Sequence, residues 1–260
     1  MLEGCLDAGI PLSDIRLGFL RKGSADLIGK VLEMPDVIEE AITVFAESIR
    51  QDRFIPADIL QVHAPGSEDP PQHFIGYSGA ELFGRIPHFT ENRLIRYYKG
   101  ILGQLFGDLG PFTTGMTLAI TERLLRAPFK AGREWEIVVD ETPALRGKFQ
   151  AIIVVNGYLG PELAFSDGLL GSGEFHAFAI RDLGALKLVR QAMMARKGTL
   201  KDAPEEWGFC GVTAKKSLQL ICNHPDPFPV NVDGSTLVAR RSVIYRRLGQ
   251  IPLIARSARG

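Results

Sequence analysis

The sequence predicts an α+β chain in which an α/β N-terminal segment is followed by a larger β-sandwich domain with a helical insert. Three observations carry this prediction. The first fifty residues contain one short apolar strand and two segments with helical periodicity. Residues 92–125 again repeat apolar positions at helical spacing. Most of the remaining chain consists of short apolar runs bounded by turn residues, a spacing that is typical of a β-sandwich.

The N-terminal segment begins with a helical pattern. Met1–Leu6 is helical in character, with neither a cap nor a strand before it, so we expect the chain to lack an upstream portion. Ile15–Arg21 is predicted to be a strand. Ser24 is placed to cap a helix that Pro35 ends. Asp36 is the predicted N-cap of a second helix, in which apolar residues repeat at helical spacing opposite glutamates.

From residue 57 onward the pattern changes from helices to short strands. The loop Pro65–Pro71 separates the first two of them. Leu183–Ala195 is the strongest helical pattern between the later strands. The predicted strands are Ile59–His63, His73–Tyr77, Trp135–Val139, Phe149–Val155, Phe175–Ile180, Ser217–Cys222, Val230–Val232 and Ser242–Arg246.

These elements predict three parts of the chain. Residues 1–55 form a partial α/β domain, and a boundary lies near Pro56. Residues 56–248 form the β-sandwich domain, which carries the helical insert at 92–125. Residues 249–260 form a C-terminal segment that returns to the first domain.

The composition is that of a globular chain and excludes several classes of function. A chain of 260 residues with 45% apolar content can bury a core. Lys plus Arg and Asp plus Glu both total 30, so the chain lacks the basic field that a nucleic-acid partner requires. No apolar run approaches the ~20 residues that span a bilayer, so we expect no transmembrane segment. Three cysteines without Cys-x-x-Cys spacing indicate a reducing, cytoplasmic setting.

The C-terminal end from Ala239 to Gly260 contains six arginines and no acidic residue. Two interpretations stay open. The end is a solvated, arginine-rich surface, or it faces anionic phosphate or lipid groups. Any contact with a membrane is expected to be peripheral.

Three short motifs are candidates for chemistry. A Gly-Ser-Ala-Asp loop at residues 23–26 precedes a helix, where free backbone N–H groups can bind an anion. Asp167-Gly168-Leu169-Leu170 and Val232-Asp233-Gly234 are Asp-Gly turns beside predicted strands. Each motif also has a purely structural interpretation, because Ser24 can cap a helix and an Asp-Gly pair can form an ordinary hairpin turn of type I′.

In order and spacing, these motifs resemble the catalytic region of the diacylglycerol kinase family, which includes bacterial lipid kinases and sphingosine kinases. Asp58 and the aromatic-rich segment His73–Gly79 are similar to further family features. The resemblance extends from Leu17 onward. It implies that residues 1–55 are the remnant of a nucleotide-binding domain, without the family's Gly-Gly-Asp-Gly-Thr motif.

The resemblance implies an ATP-dependent lipid kinase that transfers the γ-phosphate to the hydroxyl of a diacylglycerol or a sphingoid-like lipid. Phosphoryl transfer needs a carboxylate that accepts the hydroxyl proton, and Asp233 is the residue we expect in that role. Gly23, Ser24 and Asp26 are expected to bind the nucleotide.

The resemblance also implies a magnesium site. Asp167 would supply a carboxylate, and Ala164 and Leu169 would supply carbonyl oxygens, which are hard ligands of the kind that Mg²⁺ prefers. ATP and Mg²⁺ are therefore the implied cofactors. The implied partner is a lipid substrate at a membrane surface, and a homodimer is compatible with the resemblance.

Three departures from the family pattern support an alternative, and the absent Gly-Gly-Asp-Gly-Thr motif is the first. Asp26 stands where the family has Asn, which places a carboxylate near a polyphosphate, and Ser235 replaces the Glu that follows the second Asp-Gly. The alternative is a lipid- or protein-binding module that keeps the fold without catalysis. A relative of NAD kinases, which share the glycine motif, is a further alternative that the Asp-Gly-x-Leu turn and the long sandwich fit less well.

Overall fold

The structure, a computed structural model, describes residues 2–21, 27–90, 117, 118, 120, 121, 133–160, 163, 165–197 and 199–257, apart from the side chains of 88–90, 185, 186, 192 and 195–197. Its helices are α1 (Leu2–Asp7), α2 (Leu27–Val31), α3 (Ile38–Arg50), α4 (Leu82–Thr90) and α5 (Ala185–Lys197), with short 3₁₀ turns at Leu12–Asp14 and Thr199–Asp202. Its strands are β1 (Phe54–His63), β2 (Gln72–Phe74), β3 (Tyr77–Glu81), β4 (Glu134–Val139), β5 (Thr142–Val155), β6 (Phe175–Arg181), β7 (Phe209–Ala214), β8 (Ser217–Cys222), β9 (Phe228–Val232), β10 (Ser235–Ala239) and β11 (Ser242–Ile254).

The strands form one curled antiparallel sheet. Eleven strands take part, in the order β10-β9-β3-β5-β4-β8-β11-β1-β2, and β6 and β7 extend the sheet from β5. Strand β5 is 14 residues long and belongs to both halves, because its first part pairs with β4 and its last part pairs with β3 and β6. The predicted β-sandwich is thus a mostly β structure with few helices.

The curl of the sheet encloses a core to which both halves contribute. Its largest fully buried side chains include Trp135, Phe149, Phe228 and Tyr245. On β8, buried and half-buried residues alternate along the strand, as expected when one face of a sheet packs on a core. A second core packs α2, α3 and α4 against the opposite face. Two layers of apolar packing therefore fix the course of β5, which passes between them.

The predicted strand at Ile15–Arg21 is wrong, because only Leu17 pairs with a neighbour. Leu17 forms a single parallel bridge with Leu253. The ladder cannot extend backwards since Pro252 has no N–H to donate. It does not extend forwards because the N–H of Arg256 donates to the carbonyl of Leu32.

The predicted N-cap at Asp36 is also wrong. Helix α3 begins at Ile38, its N-cap is Val37, and no side chain caps it. Asp36 instead forms an ion pair with Arg21. Because the Asp36 carboxylate is engaged by Arg21, it does not accept hydrogen bonds from the free N–H groups of the first helical turn.

Several strand boundaries differ from the prediction. Strand β1 begins at Phe54 and continues through Pro56, and β11 extends to Ile254 rather than ending at Arg246. Residues 54–58 of β1 pair with residues 250–254 of β11, so the two extensions belong to one ladder. Strands β7 and β10 were not predicted, and each lies directly beside a predicted strand in the sequence.

The C-terminal segment contacts the N-terminal part of the chain. The N–H of Ile254 donates to the carbonyl of Leu17, and the N–H of Ala255 donates to Arg53. The division of the chain into domains stays a prediction. Most of the predicted insert at 92–125 lies outside the described residues, and no helix among the described residues is long and apolar enough to cross a membrane.

Helix α4 follows β3 directly and lies against β9. At the junction, Glu81 has a φ of 58°, and Gly84 packs its Cα against the backbone of Pro229. A Cβ at position 84 would overlap the Pro229 carbonyl oxygen and lie 3.0 Å from its carbonyl carbon. Because both are backbone atoms, neither can rotate away.

We expect Gly84→Ala to destabilise the protein by about 1–3 kcal/mol, the usual cost of overpacking. Urea unfolding measures this change. Gly4→Ala is the matched control, since Gly4 lies in helix α1 with nothing within 4 Å of its added Cβ. That control is expected to be neutral or to stabilise by up to about 1 kcal/mol. Equal effects of the two substitutions would contradict close packing of α4 on β9.

Candidate active site around Asp233

The predicted strand at His73–Tyr77 is interrupted, and Asp233 occupies the interruption. Strand β2 ends at Phe74 and β3 begins at Tyr77. The N–H groups of Ile75 and Gly76 each donate to Asp233 Oδ2 at 3.1 Å, and the N–H of Tyr77 donates to Oδ1 at 2.8 Å. We call this arrangement the Asp233 clasp. It satisfies donors that would otherwise pair in a sheet.

Asp233 reaches the clasp from the tip of the β9–β10 hairpin. Val232 pairs with Ser235, so Asp233 and Gly234 form a two-residue loop. Their φ angles of 43° and 93° are both positive, as a type I′ turn requires, and Asp-Gly is a favoured sequence for it. Asp233 can therefore form an ordinary type I′ turn and also have a functional role, because the turn directs its side chain toward β3.

Asn231 supports the hairpin from below. Its Oδ1 accepts the N–H of Gly234 at 2.8 Å, and its Nδ2 lies 3.3 Å from the Tyr77 hydroxyl and from the Phe83 carbonyl. The Ser78 hydroxyl donates to the Asn231 carbonyl at 2.6 Å. Burial raises the pKa of Tyr77 to about 12, so its hydroxyl stays protonated at neutral pH. The support beneath Asp233 is thus a neutral hydrogen-bond network.

The environment of Asp233 raises the pKa of its carboxyl. Burial of the carboxyl is the main cause, and the three N–H groups of the clasp oppose it because they favour the ionised form. The residue as a whole is exposed since its backbone forms the hairpin tip, whereas the carboxylate is turned inward. A carboxylate with a raised pKa is a better proton acceptor near neutral pH.

Asp140 has the same hydrogen-bond geometry, with a carboxyl group that the protein encloses less. It also has a positive φ, of 45°, and its carboxylate accepts three backbone N–H groups, from Lys215, Lys216 and Ser217, at 3.1, 2.9 and 2.8 Å. Its small burial raises the pKa, but the three N–H groups and the Lys216 charge together lower it below its ordinary value. The two aspartates therefore differ in solvation rather than in hydrogen bonding.

This contrast predicts opposite pH dependences. The stability contribution of Asp233 is full below its unfolded pKa of about 3.9 and is lost as the pH rises through its raised folded pKa. The contribution of Asp140 is present above about 3.9 and is lost as the pH falls through its lowered pKa. From about pH 7 to about pH 3, we expect wild type to gain stability relative to Asp233→Asn and to lose it relative to Asp140→Asn. Urea unfolding across this range measures both differences, and equal slopes would contradict the contrast.

A buried ion pair lies behind the clasp. Asp58, fully buried in β1, accepts a hydrogen bond from Arg247 Nε at 2.6 Å and from the N–H of Gly173 at 2.8 Å. Its own N–H donates to the Leu170 carbonyl at 2.9 Å. Asp58 therefore joins β1, β11 and the loop between β5 and β6.

Asn156 connects this ion pair to the clasp. It directly follows β5 and is fully buried. Its Nδ2 donates to the Asp58 carbonyl at 2.6 Å and to the Ile75 carbonyl at 2.9 Å, while its N–H donates to the Gly76 carbonyl at 3.1 Å. Its Oδ1 has no hydrogen-bond partner among the described residues. Asn156 thus connects the backbone of Asp58 to the backbone of Ile75 and Gly76, whose N–H groups donate to Asp233.

The predicted magnesium site lies only partly within the described residues. The Asp167 side chain is 89% exposed and lies 3.5 Å from Lys201 Nζ, and the Leu169 carbonyl accepts the N–H of Ser172. Ala164 lies outside the described residues. No three His, Cys, Asp or Glu side chains in the described part of the chain could hold a metal ion together. The predicted ligands are one carboxylate and two backbone carbonyls, of which one lies outside the described residues. Their binding of Mg²⁺ stays a prediction, and we assign no step to a metal there.

The predicted nucleotide-binding residues Gly23, Ser24 and Asp26 also lie outside the described residues. Helix α2 begins at Leu27, directly after them. Their role in binding nucleotide stays a prediction.

Three solved structures from Bacillus anthracis strain Sterne are similar to this chain. A diacylglycerol kinase aligns over 92% of the chain and 66% of its own length, with a TM-score of 0.54 and 16% identity. Two proteins described as candidate diacylglycerol kinases align over 92% of the chain and over 68% and 67% of their own lengths, with TM-scores of 0.58 and 0.54 and 18% identity. The chain has the diacylglycerol kinase fold. It spans about two thirds of the length of these structures.

No protein-family model matches the sequence, and no curated protein is significantly similar to it. At identities below a fifth, the solved structures show the fold of this chain and not its activity. Within the diacylglycerol kinase fold, the function has to be argued from the site.

Sequence reasoning missed two residues of the site. Asn156 was visible as a polar residue directly after a long apolar run, a position that indicates a buried amide with a specific partner. Arg247 was grouped with the arginine-rich end, although its guanidinium is bound to Asp58. Asp58 was noted for the family resemblance alone, and no local pattern indicated that it pairs with Arg247.

Gly76 leaves room for the clasp. A Cβ at this position would lie 2.6 Å from Asp233 Oδ1. We expect Gly76→Ala to displace the carboxylate and to cost about 1–3 kcal/mol, because backbone donors lose their acceptor. In Gly76→Ala/Asp233→Ala the added methyl meets no carboxylate. Gly76→Ala should therefore cost much less stability in the Asp233→Ala background than in wild type. Urea unfolding of the two single variants and the double variant measures this coupling, and strict additivity would contradict the clasp.

Proposed function

We propose that this protein is an ATP-dependent lipid kinase in which Asp233 accepts the proton of the lipid hydroxyl. The observation that carries the proposal is the Asp233 clasp, which holds a carboxylate of raised pKa in the diacylglycerol kinase fold. A clasped carboxylate has few orientations available, and a fixed base is a requirement for general-base catalysis.

The clasp leaves Asp233 able to act. A carboxylate has about four acceptor positions, and the clasp uses two on Oδ2 and one on Oδ1. The remaining position on Oδ1 is the one we assign to the lipid hydroxyl. In the reaction, the hydroxyl oxygen forms a bond to the γ-phosphorus of ATP, the bond from that phosphorus to the ADP oxygen breaks, and the hydroxyl proton passes to Asp233.

Other parts of the proposal rest on the sequence resemblance. Gly23, Ser24 and Asp26 are the proposed nucleotide-binding residues, and Asp167, Ala164 and Leu169 remain proposed ligands of Mg²⁺. When bound with ATP, Mg²⁺ would neutralise phosphate charge. The proposed acceptor is a diacylglycerol or a sphingoid-like lipid. We propose that the protein is cytoplasmic and reaches this lipid by peripheral contact with a membrane.

The proposal is tested by phosphate transfer. The protein encoded by the full reading frame is incubated with Mg²⁺, γ-labelled ATP and either a short-chain diacylglycerol or sphingosine in detergent micelles. We expect labelled lipid phosphate from wild type and from Asp140→Asn, which alters an equivalent three-bond aspartate far from the clasp in the sequence. We expect none above background from Asp233→Asn. Folded wild type without transfer to either lipid would refute the proposal.

A second candidate function is a non-catalytic lipid- or protein-binding module. The observation that favours it is that three backbone N–H groups already occupy the Asp233 carboxylate, so the aspartate has a sufficient structural role. Ser235, at the position of the family's Glu, is likewise engaged, within 2.9 Å of Gln72 Oε1 and 2.8 Å of the Val232 carbonyl. Equal transfer by wild type and Asp233→Asn would leave Asp233 as a structural residue.

A further inference from the structure

Asn156 and Asp233 bind the same two peptide groups from opposite ends. In the peptide between Ile75 and Gly76, the carbonyl accepts a hydrogen bond from Asn156 Nδ2 at 2.9 Å. The N–H of this peptide donates to Asp233 Oδ2 at 3.1 Å. In the next peptide, the Gly76 carbonyl accepts the N–H of Asn156 at 3.1 Å, and the N–H of Tyr77 donates to Oδ1 at 2.8 Å. Because the C=O and N–H of a trans peptide point in opposite directions, one asparagine and one aspartate together fix both peptide planes.

Each of these peptides joins its two partners in a chain of hydrogen bonds. A peptide whose carbonyl accepts a hydrogen bond is polarised, and its N–H becomes a stronger donor. The chains begin at the side-chain amide and the backbone N–H of Asn156 and end at the Asp233 carboxylate. Asn156 therefore strengthens two of the three hydrogen bonds that favour the ionised form of this carboxylate.

The orientation of the Asn156 amide follows from its partners. Nδ2 lies 2.6 Å from the carbonyl oxygen of Asp58 and 2.9 Å from that of Ile75, and a carbonyl oxygen can only accept. A flipped amide would place Oδ1 against two carbonyl oxygens, so the donor end faces the clasp. Since Asn156 is fully buried, bulk water does not compete for these carbonyls. The side chain is thus held in the one orientation that supports the clasp.

Backbone donors, rather than charged side chains, oppose the effect of burial on Asp233. Burial raises the pKa of its carboxyl and the three N–H groups lower it, and no charged side chain among the described residues is a further cause. Tyr77 is the titratable side chain that interacts with the carboxylate, and its pKa of about 12 keeps it neutral. The proton affinity of Asp233 therefore depends on the backbone donors and on the residue that holds them in place.

We propose that Asn156 is a positioning residue for Asp233, because it orients the two peptides that hold the carboxylate and strengthens their N–H groups as donors. The inference rests on the proposed function in one respect, since the positioned carboxylate would be the base in phosphate transfer. Without the Asn156 amide, the N–H groups would favour the ionised carboxylate less, and the pKa of Asp233 would rise further. With a higher pKa, Asp233 stays protonated, and so unable to act as a base, over a wider range of acidic pH.

NMR titration of the wild-type protein tests the connection. The amide protons of Gly76 and Tyr77 follow the ionisation of Asp233, because both groups donate to its carboxylate. We expect the side-chain NH₂ protons of Asn156 to shift with the same midpoint and this shift to be absent in Asp233→Asn. The NH₂ protons of Gln191, which is buried and also donates to backbone carbonyls, are the control and should not follow this midpoint. Asn156 protons that behave as those of Gln191 do would overturn the proposal.

Asn156→Leu removes the side-chain donor and keeps a similar shape. We expect the pH at which the stability contribution of Asp233 is lost to rise by about one pH unit, measured by urea unfolding with and without Asp233→Asn. The acid limb of the pH profile of kcat/KM should move in the same direction, and kcat should fall about tenfold or more with KM for ATP unchanged. Gln191→Met, which removes another buried amide, is the matched control and should move neither midpoint.

A loss of stability in Asn156→Leu without a shift of either midpoint would make Asn156 a purely structural residue and overturn the proposal. The NMR titration uses wild type, so it tests the proposal even if Asn156→Leu does not fold. Neither the NMR titration nor urea unfolding needs phosphate transfer. Failure of the positioning role and failure of the kinase proposal are therefore measured separately.

Discussion

Asp233→Asn is expected to remove phosphate transfer and also to destabilise the protein, for two different reasons. The amide is no longer a base, and loss of a positioned general base costs about 10²- to 10⁴-fold in rate. The amide nitrogen also cannot accept a hydrogen bond. In its better orientation, it faces the N–H of Tyr77 and leaves that donor without an acceptor, at a cost of about 1–3 kcal/mol.

Asp140→Asn separates the two effects. Its carboxylate also accepts three backbone N–H groups, so its replacement should likewise lower the free energy of unfolding. It lies in the turn between β4 and β5 and has no proposed role in transfer. We therefore expect some loss of stability in urea unfolding for both variants and a loss of transfer in Asp233→Asn alone, measured well below both melting temperatures. Equal loss of transfer in both variants would show that instability, and not the missing base, stops the reaction.

The parts of the fold that sequence predicts well are those whose signal is local. Strand β8 has the predicted bounds Ser217–Cys222, and α5 is displaced by only two residues from the prediction. Both carry a strong periodicity of apolar residues over a whole element. The Asp-Gly turn at Asp233 is also local, because positive φ angles and a two-residue loop are encoded by the dipeptide itself.

The parts that sequence could not predict depend on residues far apart in the chain. The interruption between β2 and β3 exists because a carboxylate 156 to 158 residues away accepts its N–H groups. The strand at residues 15–21 fails because Pro252 supplies no donor and Arg256 donates elsewhere. No window of sequence contains both partners of such an interaction. The candidate base was therefore predictable from a motif, whereas its surroundings were not.

Removing one partner of the buried ion pair behind the clasp is expected to cause a large loss of stability. Asp58 is fully buried, and Arg247 is 30% exposed, so the two partners are not equivalent. In Arg247→Met, the Asp58 carboxylate stays buried. Of the two described donors to its oxygens, the N–H of Gly173 remains. Removing one partner of a buried ion pair costs about 3–5 kcal/mol.

Arg246→Met is the matched control, because Arg246 is the preceding residue of β11 and is exposed. Surface substitutions of this kind change stability by about 0.5 kcal/mol or less. Asp58→Asn should cost less than Arg247→Met, since a neutral amide can still accept from Gly173 and the arginine can turn toward water. Urea unfolding measures all three. If Arg247→Met matched Arg246→Met, the ion pair would not hold the loop after β5 against β1, and the hydrogen bonds of Asn156 alone would connect β1 to the Asp233 clasp.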